Sequence, residues 1–215
     1  MLRPDAPGSG ASAAVATLLD VFTVPASSPT AQLAERACAV AIVTALTAIA
    51  AQVSIPLPFT PVPFTMQPMI VLLGGAALGA RLGASSQALY LLLGIAGLPV
   101  FAASATLPPG AARLLGPTGG YLMSYPLAAF VAGWLAERGF DRRYLSAVVA
   151  MAAGLAVVFA CGLVWLAVVT QPSIGIGEAL AAGFFPFVLA DALKLLAAGA
   201  VLPALWRVSG RRPSL

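Results

Sequence analysis

The 24 residues Gly183–Trp206 read GFFPFVLADALKLLAAGAVLPALW. At the α-helical rise they cover ~36 Å, enough to cross the ~30 Å of hydrocarbon in a bilayer. Near the middle stands Lys194, the single lysine of the chain, with Asp191 three positions before it. Residues i and i+3 share a helix face, so both charged heads point the same way. Either one alone at the bilayer centre costs roughly 2.5–3.5 kcal/mol on the insertion scale. The pair therefore belongs on the inside of a bundle, where an ionisable pair marks a functional site by default. A structural salt bridge between helices is the alternative.

Working outward, the composition fits this span. The chain of 215 residues is 60% hydrophobic and 8% charged, with mean hydropathy +0.99. A soluble domain carries about 25% charged residues. The apolar stretches are too long for barrel strands and do not alternate, so they read as helices. Length allows six spans with short loops, an all-α integral membrane bundle. A pI near 9.6 does not signal nucleic acid here, because the arginines stand singly between apolar segments and read as membrane orientation. Histidine is absent, which removes the commonest metal ligand and general base. Cys38 and Cys161 have no metal-ligand spacing and read as small core residues. No G-x-x-x-x-G-K-[ST] sequence surrounds the one lysine, so ATP-driven work would have to come from a partner.

The remaining spans fall at about Leu33–Val53, Gln67–Ala80, Ala84–Leu98, Tyr121–Leu135 and Leu145–Val169. Around the membrane domain, taken as 32–208, lie an N-terminal extension over 1–31 that reads as disordered and a basic tail over 209–215. Within the extension, Ala11–Phe22 could form a short surface helix. Span one carries Ala37, Ala41 and Ala45 at four-residue spacing, a small-residue face suited to close helix approach, although alanine is abundant throughout. Between spans one and two runs SIPLPFTPVPFTMQP, Ser54–Pro68, with five prolines. It cannot be a helix or a central strand, and its Phe59 and Phe64 suit an apolar lid over a pocket. Arg81 and Gly83 mark a turn into span three. Before span four comes GPTGGY, Gly116–Tyr121, whose paired glycines permit close approach of a helix or a ligand. Tyr121 suits that pocket or an interfacial aromatic belt. The fifth loop, TQPSIGIGEALAA, holds no lysine or arginine.

With the N-terminus inside and six alternating spans, nine arginines fall on the cytoplasmic side and only Arg113 outside. That asymmetry is the positive-inside pattern and argues for N-in, C-in topology. It puts the proline-rich loop and GPTGGY on one outer rim above Asp191 and Lys194. Gln67, Tyr121, Asp191 and Lys194 then suit a small polar solute with N–H, C=O and carboxylate groups. They contain no nucleophile–base pair for catalysis.

Four ordered motifs carry a family resemblance: TPVPFTMQ (Thr60–Gln67), YLLLGIAGLPVF (Tyr90–Phe101), GPTGGY (Gly116–Tyr121) and Asp191-x-x-Lys194. Together they resemble the BioY family, the biotin-specific S component of energy-coupling factor transporters, over about Leu33–Trp206. The resemblance implies a multi-pass subunit of the bacterial inner membrane that captures biotin from outside. It delivers biotin with a transmembrane coupling protein and two ATPase subunits. The chain itself is then not an enzyme and holds no cofactor or metal; ATP is used only by the partners. It further implies that Gln67, Tyr121, Asp191 and Lys194, with Tyr90 and Arg113, form the biotin site. Pro63, Phe64 and Thr65 would belong to a gating loop, and Ala37, Ala41 and Ala45 would face the coupling protein. An S component for another vitamin would share the bundle but differ in pocket motifs. An ion-coupled carrier would use Asp191 as its protonation site, for which six spans without an inverted repeat are less natural.

Overall fold

Helix α2, Pro29–Gln52, starts where the sequence says a helix can. Ser28 caps it by accepting the Ala31 N–H at 3.2 Å, and Pro29 takes the first helical position, where no backbone donor is needed. The computed structural model describes residues 17–22, 28–104, 107–169 and 174–209. Arg3, Arg211, Arg212, most of the extension and nearly all of the basic tail lie outside the described residues. Within the extension, Leu18–Phe22 form a short helix, α1, and Leu18 is 2% exposed in the main core. Helix α2 is thus already capped at Ser28, and Leu18 packs into the main core ahead of it.

After α2, strand β1 (Ser54–Ile55) pairs antiparallel with β2 (Phe64–Thr65) and closes the proline-rich loop at its neck. Then follow α3 (Gln67–Leu78), α4 (Ala80–Ile95), the single turn α5 (Ala112–Leu115) and α6 (Gly119–Ala136). A 3-10 turn at Phe140–Arg142 leads to α7 (Tyr144–Val169), α8 (Ile176–Gly183) and α9 (Phe185–Val208). Three of these, α2, α7 and α9, are long and apolar enough to cross a membrane by themselves. Outward-facing Leu145 and Leu189 are 75% and 72% exposed. Such a surface is a liability in water and the correct one in lipid. The chain is a mostly helical, multi-pass membrane protein.

The interior is built from small residues. Ala128, Ala129 and Ala132 of α6 are fully buried, and a β-carbon at Gly75 would overlap the backbone of Ala129. In lipid, where apolar burial gives little drive for helix association, such backbone approach supplies the packing. Hydroxyls find carbonyl partners: Thr47 donates back to Val43 at 2.9 Å, and Thr44 shares its proton between Val40 at 2.8 Å and Ser86 of α4 at 2.9 Å.

Several local expectations are corrected. The turn between α3 and α4 lies at Gly79, whose φ of 84° favours glycine, and Arg81 and Gly83 are already inside α4. The Glu137 carboxylate accepts the Ala80 N–H at 2.8 Å and caps α4 from across the bundle. The fifth loop contains α8, since GEALAA is a run of good helix formers with Glu178 in the first turn. Cys38 and Cys161 are exposed rather than in the core; both fall on outward faces, where a weakly polar thiol faces lipid at little cost.

Candidate functional site

Helix α9 brings Phe187, Asp191 and Lys194 onto one face at i, i+4 and i+7, and all three line a cavity of about 320 Å³. Its other walls are α6, α7, the segment through Arg113, and the proline-rich loop. Lys194 and Asp191 are only 10% and 8% exposed and sit 2.7 Å apart. The Lys194 ammonium also donates to the Thr65 carbonyl at 2.7 Å and lies 3.6 Å from the Phe64 ring centroid. With three N–H groups, it is largely spent on Asp191, the loop and the ring. Asp191 commits Oδ1 to Lys194, and among the described residues no donor reaches its other oxygen.

Tyr121 donates to the Gly183 carbonyl at 3.0 Å, joining the start of α6 to the end of α8. The ring fits because Gly162 and Gly183 leave room for it; a β-carbon at either would overlap it. The glycine pair Gly119 and Gly120 answers the choice between helix and ligand: a side chain at Gly120 would overlap Trp165 of α7, so the pair serves helix packing. Trp165 in turn donates to the Gly116 carbonyl at 2.9 Å and holds this turn in place. Pro117 and Thr118 beside it do line the cavity.

Gln67, 2% exposed at the start of α3, lines the cavity too. Its Nε2 donates to Tyr90 Oη at 2.6 Å, and Tyr90 donates to the Val100 carbonyl at 3.1 Å. Tyr90 is completely buried and does not reach the cavity. It stands behind Gln67, packed edge-on against Phe101. Arg113 lines the cavity while donating to the carbonyls of Ala102 at 2.8 Å and Pro108 at 3.1 Å. Burial lowers its guanidinium from the ordinary value, with Tyr90 opposing; it keeps its charge and has further N–H groups for an anion.

The lid differs in detail from its sequence reading. Phe59 is 67% exposed and away from the cavity, and Phe64 covers the Lys194 ammonium instead of the cavity. Pro56, Leu57, Pro61, Val62 and Pro63 roof the space. Pairing explains the shift: β2 starts at Phe64, so successive side chains alternate, and Thr65 rather than Phe64 faces the cavity. Thr60 at the loop tip donates to the Ala182 carbonyl at 2.6 Å and pins the loop on α8. Sequence reading missed Thr60 and Phe187; the spacing of Phe187 before Asp191 was the available signal for the second. Ala37, Ala41 and Ala45 are exposed on α2, away from the cavity lining.

Comparison with known proteins places this geometry. The model of the BioY family matches residues 21–211. The chain belongs to the BioY family. A probable biotin transporter BioY of Pyrococcus horikoshii is 40% identical over 171 residues, covering 80% of this chain and 94% of that one. The biotin transporter BioY of Thermotoga maritima is 41% identical over 172 residues, covering 80% and 95%. Among solved structures, the S-component for biotin from an ECF-type ABC transporter aligns with TM-score 0.74 and 26% identity, over 85% of this chain and 95% of that one. The BioY match thus spans all the cavity-lining elements described above.

Proposed function

We propose that this chain is the biotin-capture S subunit of an energy-coupling factor transporter. The observation that carries the reading is the roofed cavity in a BioY-family bundle. Its lining includes hydrogen-bonding groups of Gln67 and Asp191, and Arg113 contributes a cation that has no carboxylate partner among the described residues. Biotin carries ureido N–H groups, an apolar ring and tail, and a carboxylate. Acceptors suit the first, the walls of Phe159, Leu122 and Phe187 suit the second, and Arg113 suits the third.

In this reading α2, α3, α4, α6, α7 and α9 are six spans, with both termini inside the cell and the cavity opening outward. The arginine distribution supports that orientation. Ala37, Ala41 and Ala45 face a transmembrane coupling protein, and two ATPase subunits bound to it hydrolyse ATP. The subunit sits in the cell membrane, performs no chemistry on biotin and needs no cofactor of its own.

Purified protein in nanodiscs should bind radiolabelled biotin at one site, displaced by unlabelled biotin and not by other vitamins. Displacement by a different vitamin at lower concentration would reassign the substrate. Uptake in cells should need the ATPase partners and resist proton uncouplers; sensitivity to uncouplers with ATP intact would favour an ion-coupled carrier.

A further inference from the structure

The bond between Gln67 and Tyr90 decides which end of an amide a ligand meets. Tyr90 has one hydroxyl proton, and it goes to the Val100 carbonyl at 3.1 Å, a group that can only accept. The phenol oxygen can then only accept from Gln67, 2.6 Å away. Gln67 must therefore turn its NH2 toward Tyr90. A carbonyl oxygen there would face the phenol lone pairs with no proton between them. Gln67 lines the cavity, and among the described residues no donor reaches its Oε1. We infer that Tyr90 is a positioning residue: it fixes the Gln67 amide so that its carbonyl, an obligate acceptor, faces the ligand, and so selects solutes that present an N–H at that point.

This inference rests on the biotin reading above and deepens it. Without Tyr90 Oη the amide could rotate by half a turn and offer NH2 instead, welcoming a carbonyl where an N–H is now required. The ring is held independently of its hydroxyl, by the edge contact with Phe101 at 5.4 Å and the stacked Tyr125 at 6.4 Å. Removing the hydroxyl alone should leave the packing in place.

The experiment is a double-mutant cycle with biotin and with biotin methylated at one ureido nitrogen, read as Kd on purified protein. Tyr90→Phe should weaken biotin binding by about tenfold, the scale of one misplaced hydrogen bond. It should also narrow the wild-type preference for biotin over at least one of the two N-methyl isomers. In a Gln67→Met background, the same Tyr90→Phe change should have no further effect, since its target is gone. Gln67→Met alone should narrow the preference over that same isomer and leave the preference over the other in place, which keeps the idea testable should Tyr90→Phe fail to accumulate. An equal loss from Tyr90→Phe in both backgrounds would make Tyr90 merely structural. No loss in either, or a Gln67→Met protein whose preference over each isomer equals that of wild type, would also overturn the inference. Wild-type protein that bound no biotin would overturn the proposed function first, and that result is visible before any variant is made.

Discussion

Lys194→Met is the perturbation with the most to say about how a ligand leaves. Lys194 joins two parts of the chain, reaching Asp191 on α9 and the Thr65 carbonyl at the loop neck, each at 2.7 Å. Methionine keeps an apolar stem beneath Phe64 and carries no donor. A hydrogen bond to a charged group is worth about 1.5–3 kcal/mol. If escape requires the loop to part from α9, losing that tie should speed dissociation by about 10- to 150-fold. Breaking a buried pair also costs ~3–5 kcal/mol of stability, so Tm and membrane yield must be followed in parallel. Thr60→Val is the control that leaves the pair intact. It removes the 2.6 Å bond to Ala182 and, within the loop, the acceptor of the Val62 N–H at 3.1 Å; the tie to α8 is a neutral bond of about 0.5–1.5 kcal/mol, and its loss should speed dissociation by about 2- to 12-fold. Surface capture or stopped-flow kinetics with labelled biotin separate the two rates. Unchanged dissociation in both variants, or a loss confined to association, would refute the idea that these bonds hold the cavity shut.

Ala41→Trp should leave biotin binding by the isolated subunit intact, because α2 contributes that residue to the outer surface, and should prevent co-purification with the coupling protein and ATPases; full ATP-dependent uptake would refute it. Replacing Pro61 and Pro63 together with Gly should weaken affinity several-fold by raising the entropy lost on closure, by about 0.4–1 kcal/mol per site, and equal affinities would leave the loop a passive connector. Burial holds the Asp141 carboxyl above its ordinary value against the hydrogen bond from Trp206, so the folded protein binds that proton more tightly than the unfolded chain. That contribution is full below the ordinary carboxylate range and is lost as pH rises through the folded value. The Tm of Asp141→Asn should accordingly gain on wild type as pH rises from the ordinary carboxylate range through the folded value, and a gap that narrowed over that rise would reverse the reasoning.

Much of this arrangement was legible because charge is scarce. Asp191 and Lys194 share a face of one long apolar helix, and an ion pair there had to point inward; the pair lies 2.7 Å apart on the cavity wall. The proline run likewise declared a stiff loop, and it became the roof. What hydropathy could not carry is which face of an apolar helix turns inward. Along α7 nearly every residue is apolar, yet Phe159 lines the cavity and Val164 is 61% exposed. Only the small residues separate the two faces, as Gly154 and Gly162 do by admitting Leu72 and Tyr121. Tyr90 and Phe64 stand just off the cavity wall, which no sequence pattern declares. Each is an aromatic near the site, but a tertiary hydrogen bond hides one behind Gln67 and strand register turns the other onto Lys194.

The polar groups also argue for function by how they are spent. A polar group in lipid must find a partner or face water. Thr47 returns its hydroxyl proton to its own helix, Thr44 shares its proton between Val40 and Ser86, Trp165 donates to Gly116, and Tyr121 to Gly183. Trp206 donates to Asp141 where α9 meets the turn between α6 and α7. Gln87 is an exception, with a buried carbonyl that finds no donor. Against that economy, Gln67, Asp191 and Arg113 come from three distant parts of the chain and meet at one cavity, with hydrogen-bonding capacity their protein partners leave unused. Placing Gln67 and Asp191 on membrane-spanning helices is costly, and packing alone would have been served by leucine. A solute with complementary N–H and anionic groups offsets that cost, which is why the site reads as a place for a ligand and not as a structural knot.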